Sequence, residues 1–294
     1  DDVNKLKNVF ALRHAKNAYD LRAAMKGRQN AIVIGGGYIG LEVAASLTKA
    51  GMNVDVIEMM ERVLARVASP DISAFFANLH ENHDVKIHTG AIKQEILQKD
   101  GAFSGIRLND DRIIDAELLL VGIGVLPDLG VAADAGLTTG DGIVVDGMMQ
   151  SSVEDIFAIG DVALVDGAMS RIESVDNAQN TAARAAAAIC GLSQPPKMAP
   201  WFWSEQFDAR LQSAGIVPQE AAAAQYIVRP GKREGGLSVW SYDVHGKLAA
   251  IEAVRDPAAY MLGKKCLDLG LSPPPSDIGN AAFDLKGFVA SGAV

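Results

Sequence analysis

The chain has 294 residues, enough for about two domains at roughly 150 residues each. Apolar residues make up 49% and charged residues 21%, an ordinary globular composition that excludes a disordered chain. Lys and Arg total 27 against 36 Asp and Glu, a net charge of −9, which argues against a nucleic-acid or membrane-surface binder. Two cysteines, Cys190 and Cys266, leave no room for a disulfide scaffold or a multi-cysteine iron–sulfur site within the chain.

The chain opens on Asp1-Asp2-Val3 rather than Met, so a processed or incomplete chain is expected. No basic stretch followed by an apolar core marks a secretory signal. The longest apolar run, Ala31 to Leu41, has eleven residues including four glycines, too short to span a bilayer. A cytoplasmic setting with no membrane or nucleic-acid partner is the expectation.

In chain order, Asn17 to Lys26 reads as a short helix closed by Gly27. Asn30 to Ile34 is β-branched with no polar face, which suits a buried parallel strand. Tyr38 to Ala50 has helical periodicity and stops at Gly51. Asn53 to Glu58 is a second strand, Asp71 to Asn82 a helix entered through Ser69-Pro70, and Val85 to His88 a third strand. The pattern then changes. Ala91–Gln98 and Phe103–Leu108 alternate as antiparallel strands around a turn at Lys99 to Ala102, with a further short strand at Arg112–Ile114. The third crossover is therefore a β-meander rather than a helix. Strands follow at Leu118–Val121, Ile143–Val145 and Ile156–Ile159, then an Ala-rich helix from Val175 to Cys190. Past the prolines at 195, 196 and 200, Ala223–Val228, Leu237–Tyr242 and Lys247–Ala253 read as an antiparallel sheet and Asp256 to Leu269 as a helix. The last ninety or so residues form a separate α+β unit.

Gly35-Gly36-Gly37-Tyr38-Ile39-Gly40 fits G-x-G-x-x-G, and it gains force because it follows a strand and opens a helix. Gly35 permits the tight turn, Gly37 lets a pyrophosphate approach the backbone, and Gly40 lets helix and strand pack closely. The helix N-terminus offers free N–H groups to the phosphates. Glu58, ending the next strand, suits the ribose hydroxyls and repels a 2′-phosphate, favouring NADH over NADPH. Two readings of Arg62 and Arg66 stand: contacts to adenine or pyrophosphate, or solvated side chains. The loop Val121-Gly122-Ile123-Gly124-Val125-Leu126-Pro127 is Gly-rich and can pass backbone close to a ligand. The Ile156–Ile159 strand ends in Gly160-Asp161. There an aspartate either holds a polyol hydroxyl or serves a turn. No Cys-x-x-Cys pair occurs, and both cysteines read as inert core residues within helices.

The order of these motifs resembles the pyridine-nucleotide-dependent flavoprotein reductases. The nearer resemblance is to the ferredoxin and rubredoxin reductases that feed oxygenases. It is carried by Val33 to Glu42, Ile156 to Asp161, Arg171-Ile172-Glu173-Ser174-Val175-Asp176-Asn177-Ala178-Gln179, Pro200-Trp201-Phe202-Trp203-Ser204-Glu205-Gln206 and Val254-Arg255-Asp256-Pro257. The resemblance implies an α/β fold. A Rossmann-like NAD domain (27–146) is inserted in an FAD domain, here incomplete (1–26 and 147–200), and a C-terminal α+β domain (201–294) follows. It implies FAD and NAD as cofactors. Gly35, Gly36, Gly37, Tyr38, Ile39, Gly40 and Glu58 would hold NAD, and Gly122, Ile123 and Gly124 would line the nicotinamide approach. Gly160 and Asp161 would bind the FAD ribitol, with Ser174 and Val175 meeting the flavin. The candidate catalytic residues are Glu42, near the nicotinamide, and Trp203, near the flavin and the path to the partner. That partner is a small iron–sulfur protein, a ferredoxin or rubredoxin, and the enzyme is expected as a monomer or homodimer. Arg171, Arg184, Arg210, Lys264 and Lys265 are candidates for a basic docking patch. The rivals are an NADH oxidase or disulfide-type reductase of the same fold, and an NAD-binding module without flavin. The family's N-terminal FAD-binding glycine unit does not appear: only one G-x-G-x-x-G occurs.

Overall fold

A computed structural model describes residues 6–168, 170–218 and 223–292. A short strand β1 (Val9–Phe10) and helix α1 (Ala15–Ala24) lead into β2 (Asn30–Ile34), α2 (Tyr38–Lys49), β3 (Asn53–Ile57), α3 (Pro70–Glu81) and β4 (Lys86–His88). Helix α1 starts two residues before its expected place because Asn17 closes a capping box, its Oδ1 accepting from the His14 N–H at 2.8 Å. The meander β5 (Lys93–Lys99), β6 (Ala102–Leu108) and β7 (Ile113–Asp115) then precedes β8 (Leu118–Val121). The parallel sheet runs β1-β8-β2-β3-β4. Its order reverses beside β2, where β3 lies on one side and β8 on the other. One face is covered by the meander, around Ile32, Ile57, Phe103, Ile106, Leu108 and Leu119.

A short helix α4 (Gly130–Asp134) leads to β9 (Ile143–Val145), which pairs in parallel with β10 (Ala163–Val165). The strand expected at Ile156–Ile159 does not form. Only Phe157 makes an isolated bridge, to Gln150, within a tight reversal in which the Ser151 N–H donates to the Ile156 carbonyl and the Ala158 N–H to the Met149 carbonyl. Helix α5 (Val175–Ile189) covers this pair.

The C-terminal sheet has the order β11-β12-β15-β14-β13. Its strands are β11 (Trp201–Gln206), β12 (Ala209–Gly215), β13 (Ala223–Pro230), β14 (Leu237–Asp243) and β15 (Leu248–Val254). Helices α6 (Pro257–Leu269), α7 (Pro275–Gly279) and α8 (Leu285–Ser291) cover one face, closing over Trp240, Tyr242, Ile251 and Cys266. The other face is not independent. Ala209, Leu211, Val239 and Val254 belong to the same buried cluster as Val33, Leu41, Ile72 and Phe76. Each large apolar side chain buried there contributes about 1.5–3 kcal/mol, so the sheet and the nucleotide-binding half stabilise one another.

Candidate functional site

The loops leaving the C-terminal ends of β2 and β8 meet at the point where the sheet reverses its order, the place where open α/β sheets bind ligands. Gly35 has φ 107°. A Cβ there would overlap the Gly122 carbonyl oxygen, and one on Gly40 would overlap the Gly35 carbonyl oxygen. Backbone thus lies directly on backbone at both positions. A Cβ on Gly37 would meet nothing within 4 Å, so the turn is open at the glycine assigned to pyrophosphate approach. Ile39, Ile123 and Gly124 are exposed around this opening.

Glu58 is held by the same turn. Its Oε2 accepts from the Gly36 N–H at 2.7 Å and its Oε1 from the Met60 N–H at 2.7 Å. Behind it, the Leu64 N–H donates to the Gly36 carbonyl at 2.9 Å. Arg62 is not simply solvated. Its guanidinium donates to the Ala65 and Ala68 carbonyls at 3.2 and 3.0 Å and to Ser73 Oγ at 2.5 Å, clamping the loop before α3. Arg66 is exposed on that loop.

Tyr38 and Glu42 are one helical turn apart on α2 and both face β11. The Tyr38 ring lies against Phe202 at 4.6 Å between centroids. Burial pushes its phenol well above the usual range, with the Glu252 and Glu42 carboxylates adding to the effect. Ser204 Oγ donates to Glu42 Oε1 at 2.6 Å.

The second group of candidates gathers at the N-terminus of α5. Gly160 and Asp161 form a 3-10 turn after Ile159. The Gly160 N–H donates to Thr181 Oγ1 at 2.8 Å, and Asn177 Nδ2 donates to the Ile172 carbonyl at 2.7 Å. Ser174 caps α5, its Oγ accepting from the Asn177 N–H at 3.1 Å. Asp161 is exposed, and Val175 is 52% exposed in the first turn of the helix. An outward carboxylate beside an open apolar helix end fits a polyol attached to a flat aromatic ring. The Trp201 N–H donates to Asp176 Oδ2 at 3.2 Å, and Trp203 stacks on Trp201 at 5.6 Å. Strand β11 therefore touches both groups.

One expectation fails. Cys190 is exposed at the end of α5; only Cys266 is buried, its thiol pushed up to about 11 by burial. Four of the five basic docking candidates have polar partners. Arg171 is paired with Asp141 and Glu173, Arg210 with Glu205 and Lys264 with Asp268, while Arg184 bonds to Asn180 and the Gly147 carbonyl. Sequence reasoning also passed over Ser204, Gln206, His80 and Glu252. The signal for the first two was the alternation of Phe202, Ser204 and Gln206 along one strand.

A glycine turn at a switch point, with an acidic residue ending the next strand, defines the class of dinucleotide-binding α/β oxidoreductases. Comparison with known sequences narrows this. Residues 2–182 match the pyridine nucleotide-disulphide oxidoreductase family and residues 201–289 its reductase C-terminal domain, and the chain belongs to that family. Rhodocoxin reductase of Rhodococcus erythropolis is 36% identical over 285 residues, covering 96% of this chain and 66% of that protein. The ferredoxin reductase for the CYP199A2 system of Rhodopseudomonas palustris superimposes with a TM-score of 0.90 at 37% identity, over 97% of this chain and 70% of that one. The reductase in a covalent putidaredoxin reductase–putidaredoxin complex gives a TM-score of 0.92 at 32% identity, over 99% and 70%. The chain thus spans about two thirds of the length of these relatives. The family uses FAD with NAD(H), and the open glycine at 37 and the outward carboxylate at 161 fit both.

Proposed function

We propose that this chain is the NADH-binding and acceptor-facing part of a flavoprotein reductase. It would pass electrons from NADH through FAD to a ferredoxin or rubredoxin that serves an oxygenase. The observation that carries this reading is the double attachment of β11, through Ser204 to Glu42 on the nucleotide side and through Trp201 to Asp176 on the flavin side. FAD, when bound, would accept one hydride and release its two electrons one at a time. The chain supplies the rest. The turn Gly35 to Gly40 binds the pyrophosphate, and Glu58 accepts from the ribose hydroxyls. Glu42, with Gly122, Ile123 and Gly124, lines the nicotinamide. Gly160 and Asp161 hold the ribitol, Ser174 and Val175 meet the flavin, and Trp203 lies towards the acceptor.

The same reading divides the chain at about 26, 146 and 200, and takes the protein as a cytoplasmic monomer or homodimer. Among the described residues no helix is long and apolar enough to cross a membrane. The test is NADH-dependent reduction of a ferredoxin, a rubredoxin and oxygen, side by side, by the flavin-loaded enzyme. Reduction of an iron–sulfur protein at least tenfold faster than oxygen is expected. Oxygen as the best acceptor would establish an NADH oxidase instead, and colourless protein that still binds NADH a module without flavin.

A further inference from the structure

Strand β11 and helix α2 run side by side in matched register. Two residues of a strand advance about 6.6 Å, and four residues of a helix about 6 Å. Phe202 and Ser204 therefore meet Tyr38 and Glu42 in turn. The next inward residue, Gln206, reaches α3 instead, where its Oε1 faces His80 Nε2 at 2.9 Å. Gln206 Nε2 donates to Ser204 Oγ at 3.1 Å. Ser204, Gln206 and His80 are all fully or almost fully buried.

The direction of this chain of hydrogen bonds is fixed by counting protons. A serine hydroxyl has one proton and two lone pairs. Because Gln206 donates to Ser204, the Ser204 proton is free to go to Glu42, at the short distance of a hydrogen bond to a carboxylate. The opposite amide orientation would present a carbonyl to Ser204 and compete for that proton. His80 prevents it. Burial holds its imidazole well below the usual range, to about 4, so the ring is neutral near pH 7. Its Nδ1 is buried with no hydrogen-bond partner among the described residues, which leaves the proton on Nε2, facing the Gln206 carbonyl oxygen.

The geometry points to Ser204 as the positioning residue for Glu42, with Gln206 and His80 holding the Ser204 hydroxyl in its donating orientation. This rests on the proposed placement of Glu42 at the nicotinamide. A helix-borne glutamate otherwise samples several rotamers. With its carboxylate pinned from the C-terminal sheet, it would present one oxygen in one place when the nicotinamide arrives. Such an interaction acts on the geometry of hydride transfer more than on dinucleotide affinity, which the phosphate and ribose contacts dominate.

Ser204→Ala, Gln206→Met, Glu42→Gln and the double variant Ser204→Ala/Glu42→Gln test this in the flavin-loaded enzyme. The readouts are the NADH dissociation constant from the concentration dependence of flavin reduction, the flavin reduction rate at saturating NADH, and the melting temperature as a check on folding. Ser204→Ala is expected to slow flavin reduction about tenfold, and Gln206→Met about threefold, each leaving the dissociation constant within about twofold. In the Glu42→Gln background, Ser204→Ala should add less than about twofold. A Ser204→Ala rate within twofold of the parent, where Glu42→Gln alone is slowed tenfold, overturns the positioning role and leaves the placement of Glu42 standing. A full Ser204→Ala effect in the Glu42→Gln background also overturns it. An unchanged rate in Glu42→Gln alone overturns the placement itself.

Discussion

The two turns assigned to cofactors are built from different materials. At Gly35–Gly40, backbone lies on backbone, with the Gly122 loop on one side and the loop before α3 on the other. That second loop is clamped by Arg62 and tied to the C-terminal sheet, where the Glu252 carboxylate accepts from the Ser69 N–H at 3.1 and 3.3 Å. At Gly160–Asp161, side chains hold the turn. Thr181 accepts from Gly160, and Arg171 donates to the Asp161 carbonyl at 2.5 Å, leaving the Asp161 carboxylate outward. Where backbone meets backbone the residue type is forced. At Gly160 a Cβ has room, and it is the left-handed φ of 69° that favours glycine.

Substitutions can break this contrast. Gly40→Ala should be the most damaging, at about 3 kcal/mol or more, because its Cβ has a carbonyl oxygen in its place. Gly37→Ala should leave stability within about 0.5 kcal/mol and weaken NADH binding about tenfold by occupying the phosphate approach. Urea unfolding and nicotinamide fluorescence separate the two effects, and equal destabilisation would refute the contrast.

Glu252 comes next. It is fully buried, and burial pushes its carboxyl up to about 7, against the lowering pull of the Ser69 hydrogen bonds and the Arg62 charge. The folded state then holds a proton that the unfolded state releases between about pH 4.5 and 7. Stability contributed by this group is complete below that window and is lost as pH rises through it. Glu252→Gln should therefore stabilise the protein by on the order of 2 kcal/mol at pH 8 and change little at pH 4.5. An equal effect at both pH values would mean that Glu252 is not the titrating group.

Glu58 gives a smaller effect. With its carboxylate fixed by Gly36 and Met60, kcat/KM for NADPH is expected at least about tenfold below that for NADH, and Glu58→Gln should narrow the gap. Comparable values in the parent enzyme would reject the assignment. Asp161→Ala should shift stability least, by under about 0.5 kcal/mol for an exposed side chain, while lowering the flavin-to-protein absorbance ratio. Undiminished flavin would move the ribitol contact elsewhere.

The nucleotide-binding half was legible because its signals are local. The apolar run Asn30 to Ile34, the glycines behind it and the acidic strand end at Glu58 lie within thirty residues, and each has one physical reading. The meander was legible from its alternation. What escaped depends on distant partners. Nothing near Arg62 in sequence announces that it bonds carbonyls three and six residues on as well as Ser73. The stretch Ile156–Ile159 has the composition of a strand, yet it folds back on Met149 to Ser151 instead. Ser204 meets Glu42 across 162 positions, and only the folded sheet brings them together. The flavin side rested on resemblance rather than on residues, since Asp161 alone reads equally as a turn aspartate.

The hairpin between β11 and β12 consists of Phe207 and Asp208, with Gln206 paired to Ala209. Phe207 has φ 53°, in the left-handed region, and is wedged against the His83 ring at 3.9 Å while Lys49 Nζ donates to its carbonyl at 2.7 Å. The strand before it shows indoles to one side and the Phe202, Ser204 and Gln206 side chains to the other. A slip of one residue exchanges the two faces completely. Length variation here is therefore a different matter from variation in composition. A single deletion at 207–208 would turn Trp203 into the seat of Ser204 and disconnect both sides of the site at once.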